Sequence, residues 1–86
     1  QMAKFLNVGK GALVNIDKIR CIISGDADKV RKVMLKHGYD RSSVEVYDVT
    51  ADAETRSVLV LSDETMIISS VSANALNKRI HEDYDK

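Results

Sequence analysis

The sequence contains no proline and no tryptophan, a single phenylalanine and a single cysteine. Aromatic anchors are therefore few, and any core must rest on Val, Ile, Leu and Met. Cys21 has no second cysteine to bond within the chain, which excludes a disulfide framework and points to a reducing, cytoplasmic setting. No stretch approaches the roughly 18 apolar residues of a membrane-spanning helix. No signal-peptide pattern opens the chain either, and with Gln1 ahead of Met2 we read Met2 as the native start. Net charge is also lacking, because 13 Lys/Arg balance 13 Asp/Glu.

What is present suits one small domain. The chain has 86 residues, 44% of them hydrophobic and 30% charged, an ordinary composition for a soluble globular protein. A domain of this size without disulfides is marginal by itself, and oligomerisation is the usual remedy. The zero net charge conceals an asymmetry. Residues 1–41 hold nine Lys/Arg against four Asp/Glu, giving +5, and residues 42–86 hold four against nine, giving −5. Such a split marks an anion-binding face or charge-steered self-association, or else two unlike solvated faces.

The pattern along the chain predicts alternating strands and helices. Residues 4–8 read as a first strand. Residues 13–14 and 19–23 read as a strand interrupted by a polar corner, with β-branched residues prominent. Asp26 is placed to cap a helix that ends before Gly38, with Val30, Val33, Met34 and His37 on one face. Lys29, Lys32 and Lys36 form a basic stripe on another face, flanked by Arg31. Ser42 and Ser43 close a loop, and residues 44–50 alternate like a strand. Residues 57–61 and 65–69 form a hairpin across Ser62, Asp63 and Glu64. Ser72 caps a final helix carrying Leu76 and Ile80, and a polar segment follows from His81. The expected fold is α+β, a small mixed or antiparallel sheet with two helices in the order β-β-α-β-β-β-α. The domain is placed at residues 2–82, with 83–86 a polar tail.

The stretch "NVGKGALVNIDKI" raises the one motif question. Gly9-Lys10-Gly11 lacks the third glycine and following helix of a dinucleotide fingerprint, and the Ser/Thr of a phosphate-binding P-loop. A strand follows it, so the glycines are expected at a bend. Cys21, inside an apolar strand, is expected to be a small buried hydrophobe. No Cys, His or carboxylate group has metal-ligand spacing, and Ser69-Ser70, like Ser42-Ser43, has no evident base nearby. No catalytic residue, cofactor or metal is therefore expected, and the chain does not read as an enzyme. The basic residues Lys10, Lys18, Arg20, Lys29, Lys32 and Arg56, on loops, a strand and a helix, are candidates for phosphate contacts. Paired aromatics for base stacking and a helix-turn-helix are both missing.

The opening "KFLNVGKGALV" resembles the start of the RemA-like family of bacterial extracellular-matrix regulators. The likeness continues through the polar corner into "IIS" and returns in "ETRSVLVLSDETMIISSVSANALNKRI", covering roughly residues 4–80. The resemblance implies a cytoplasmic, non-enzymatic transcriptional regulator of biofilm matrix genes, assembled into homo-oligomeric rings that bind double-stranded DNA through basic residues. One family arginine falls on Lys18, which keeps the charge but not the planar fork that grips phosphate bidentately. Two further arginines fall on Ala53 and Glu54, so only Arg56 remains basic in that loop, while Lys10 adds a cation between the glycines. The alternative is a paralogue that keeps an oligomeric scaffold and binds protein, which Glu54 and the acidic second half favour.

Overall fold

The structure is a computed structural model that describes residues 4–36 and 45–84. Six strands and two helices follow in order: β1 (Phe5–Asn7), β2 (Leu13–Asn15), β3 (Ile19–Ser24), α1 (Ala27–Lys36), β4 (Val46–Asp48), β5 (Ser57–Leu61), β6 (Met66–Ser69) and α2 (Ala73–Tyr84). The α+β class and the order of elements are those the sequence predicts. The polar corner between β2 and β3 is a 3-10 turn, Ile16–Lys18, in which the Asn15 side chain accepts the Asp17 N–H at 3.0 Å. This turn divides the strand segments between two sheets. β1 and β2 form an antiparallel pair, whereas β3, β5, β6 and β4 lie side by side in a mixed sheet in which β4 runs parallel to β6.

Burial explains the layering. β5 is central and buries residues on both of its faces, as a strand covered from two sides must. On one face Val58, Val60 and Met66 pack with Val30 of α1. On the other, Leu59 and Ile67 pack with Leu6, Val8, Val14 and Ile16 and with Leu76 of α2. The result is three layers: α1, the four-stranded sheet, then the β1–β2 hairpin together with α2.

Local signals fix the ends of the elements. The Asp26 carboxylate accepts the Lys29 N–H at 2.8 Å and Ser72 Oγ accepts the Ala75 N–H at 3.1 Å, so both expected caps are made. The β5–β6 hairpin closes with the Glu64 N–H on the Leu61 carbonyl, and Glu64 takes the left-handed conformation at φ 70°. α2 runs through His81 to Tyr84, further than its apolar residues indicate, and His81 and Glu82 there are exposed. Cys21 corrects its expectation: it is exposed, since β3 is an edge strand and the cover of α1 does not extend to it. The Met34 side chain, His37, Gly38 and the Ser42-Ser43 loop lie outside the described residues.

Candidate nucleic-acid interface

The bend that carries Lys10 is built by its glycines. Gly9, Lys10 and Gly11 have φ of 122°, 52° and 77°, and the Ala12 N–H closes on the Gly9 carbonyl at 2.9 Å. Two central residues at positive φ define a type I′ turn, which matches the twist of the flanking strands. A side chain added at Gly11 would meet nothing within 4 Å. The positive φ is what favours glycine there, through its backbone freedom. The Asn7 side chain also accepts the Gly9 N–H at 2.9 Å. Lys10 projects from this turn, exposed.

Lys18 sits at the other end of the sheet. Its carbonyl accepts the Ser62 N–H at 2.8 Å, which places the polar corner beside the tip of the β5–β6 hairpin. Asp63 lies in this tip, its carboxyl held below the usual value by the hydroxyl and N–H of Thr65, with a smaller contribution from the Lys18 charge. Arg20 follows at a shift in the β3–β5 register, a bulge on the sheet edge.

Arg56 directly precedes β5, at the opposite end. Its N–H donates to the Ser69 carbonyl at 2.9 Å, and its own carbonyl accepts the Gly25 N–H at 3.0 Å. Gly25 leads into α1, so Lys29 starts at this end and Lys32 follows one turn on. The Lys10 bend is here too, because Ser69 Oγ donates to the Val8 carbonyl at 2.6 Å. Ahead of Arg56 the chain makes a turn in which Ala51 and Asp52 have positive φ, and the Ala53 N–H meets the Thr50 carbonyl at 3.1 Å. Asp52, Ala53 and Glu54 are all exposed in that loop. The six steps along the chain from Arg56 to Ser62 put Lys18 and Arg56 about 20 Å apart. The candidate cations thus form two groups: Lys10, Lys29 and Arg56 at one end, Lys18 and Arg20 toward the other. Lys32 and Lys36 lie along α1 between them.

Catalytic chemistry finds no assembled site among the described residues. Ser69 is fully buried and spends its hydroxyl on the backbone, donating to Val8 and accepting the Val71 N–H at 3.0 Å. Ser57 likewise donates to the Val71 carbonyl. No group of three or more His, Cys, Asp or Glu is placed to hold a metal among the described residues, and no described helix is long and apolar enough to cross a membrane. Sequence reasoning missed Arg79, whose Nη1 donates to the Asn7 carbonyl at 2.8 Å and ties α2 to β1. Nothing in its sequence neighbourhood signals that contact.

The described residues thus form a three-layer α+β domain with exposed cations at both ends of its sheet. The chain belongs to the RemA-like family, described as extracellular matrix regulatory protein A-like, whose model matches residues 5–80. Among its relatives, a candidate regulatory protein of Geobacillus kaustophilus is 29% identical over 80 residues, covering 93% of this chain and 88% of that one. Another in Natranaerobius thermophilus is 28% identical over 80 residues, covering 93% and 86%. A third, in Desulfotalea psychrophila, is 30% identical over 80 residues, covering 90% and 66%. Their names describe regulatory proteins and no enzyme.

Proposed function

We propose that the chain is a DNA-binding transcriptional regulator that works as a homo-oligomer and holds DNA chiefly by its phosphates. The observation that carries this reading is the exposure of Lys18 and Arg56, the two positions where the family resemblance leaves a cation, at opposite ends of β5. Lys10 and Lys29 add charge at the Arg56 end, and Lys32 extends it along α1. Arg20 lies toward the Lys18 end, on the sheet edge. The sequence lacks the paired aromatics that stack on bases, so phosphate contacts supply most of the affinity. A second reading is favoured by the acidic loop beside Arg56. Asp52 and Glu54 repel phosphate at and beside the positions, Ala53 and Glu54, where the resemblance implies arginine, and a protein partner would suit that surface better.

Fluorescence anisotropy of a labelled duplex against rising salt tests both readings. The regulator binds tightly at low salt, with little sequence dependence, and loses affinity steeply as salt rises. Glu54→Arg tightens binding. If wild type does not bind at low salt while Glu54→Arg does, the protein-binding scaffold is the correct reading. If neither binds, the DNA reading is abandoned.

A further inference from the structure

The four-stranded sheet ends in β3 on one side and β4 on the other, and neither edge is continued by another strand among the described residues. These edges differ in charge. β3 is entered through Lys18 and carries Arg20, whereas β4 is entered through Glu45 and ends in Asp48. In β4, the Tyr47 phenol is pushed above its usual value, chiefly by the charge of Glu45 and its hydrogen bond, with smaller effects from desolvation and Asp63. β4 also exposes apolar surface, with Val46 38% and Tyr47 49% accessible.

We propose that β4 of one copy docks in parallel on β3 of a second copy, head to tail, so that the sheet continues across subunits. The inference rests on the homo-oligomeric reading above and gives it a contact surface. The strand directions permit it. β3 runs antiparallel to β5, β5 antiparallel to β6, and β6 parallel to β4, so β3 and β4 point the same way. A copy displaced sideways therefore presents its β3 parallel to β4.

The register then matches both pleat and charge. Val46, Met66, Val60 and Cys21 share one row across the sheet, and Tyr47, Ile67, Leu59 and Ile22 share the next. Continuing the rows sets Val46 beside Cys21 of the second copy and Tyr47 beside its Ile22, each pair on one face. Glu45 falls at the level of Arg20, so an acidic edge meets a basic one. Pairing two β4 edges about a two-fold axis would instead set acid against acid, and pairing two β3 edges would set base against base, both unfavourable. The bulge at Arg20 blunts the start of β3 but leaves 21–24 as regular edge. Head-to-tail contacts of this kind close into a ring or continue as a filament.

Cross-linking and charge reversal test the contact on the whole chain. Val46→Cys, oxidised with copper–phenanthroline, should form an intermolecular disulfide between Cys21 and the cysteine introduced at position 46, because adjacent strands bring their Cα atoms to about 4.8 Å. Peptide mapping identifies that bond and separates it from symmetric Cys21–Cys21 linkage. Glu45→Lys should raise the concentration for half-assembly by about tenfold, and adding Arg20→Glu to it should bring that concentration back. If wild type assembles but Glu45→Lys assembles equally well and no mixed cross-link appears, the edge contact is overturned while the homo-oligomer stands. If wild type is monomeric at every concentration and forms no mixed cross-link, the homo-oligomeric reading fails and this contact with it.

Discussion

Gly11 and Asp48 each hold a local geometry whose value can be isolated by one substitution. Gly11→Ala meets no steric obstacle, since nothing lies within 4 Å of the added carbon. Its cost is the left-handed backbone alone, about 1–2 kcal/mol, partly offset by a stiffer unfolded chain. The melting temperature should fall by roughly 4–8 °C for each kcal/mol of destabilisation in a domain of this size. An unchanged melting temperature would show that the residue does not hold a positive φ in solution. Asp48 accepts both the Thr50 hydroxyl at 2.6 Å and the Thr50 N–H at 2.9 Å, and these bonds lower its carboxyl pKa below the usual 3.8. The folded value lies below the unfolded one, so the stabilisation is complete above about pH 4 and fades as pH falls through the folded value. Urea melts between pH 6 and pH 2 should therefore show a steeper acid loss in wild type than in Asp48→Asn. Parallel losses would mean that the Thr50 bonds do not form.

At the level of elements, the two helices stabilise opposite faces of one sheet. Leu76 of α2 is fully buried with Leu6 and Leu59, and Leu76→Ala should cost about 2–5 kcal/mol. Val30 of α1 is buried against Val58 and Val60, and Val30→Ala removes less volume, costing about 1–3 kcal/mol. With the sheet between them the two losses should add within about 0.5 kcal/mol in denaturant titrations. Strong coupling would contradict separate layers. Much of this arrangement was legible in the sequence, because caps, turns and apolar periods are local: Asp26, Ser72 and the Ser62-Asp63-Glu64 hairpin all lie where their chemistry places them. Non-local facts were not. Whether a strand lies at the edge decides that Cys21 is exposed, and distant backbone groups decide that Ser57 and Ser69 are buried. That β4 pairs parallel to β6 depends on the course of the chain between them, which no short motif encodes.

Across the whole molecule, the cations were legible as residues but their separation was not, since it follows from strand directions. Lys18 and Arg56 stand at opposite ends of β5, and on the proposed DNA-binding reading they would meet different phosphates. Lys18→Gln and Arg56→Gln should each lower the log–log salt slope by roughly 0.9 for every phosphate that the side chain neutralises, and the double variant should show the sum. A double variant no weaker than either single one would mean that the two charges serve the same phosphate. The comparison requires variants in the same state of assembly, because repeated subunits multiply every contact.

The bonds that tie the first strands to the rest of the fold reach far along the chain. Ser69 holds Val8 across 61 residues, and Arg79 holds Asn7 across 72. The β1–β2 hairpin is local and can close within microseconds. Leu6, Val8, Val14 and Ile16 nevertheless complete their packing only when Leu59, Ile67 and Leu76 have left the ribosome. At about 5–20 residues per second, those four side chains wait several seconds in water for their partners. During each round of synthesis, this hairpin is open to a chaperone until those partners arrive.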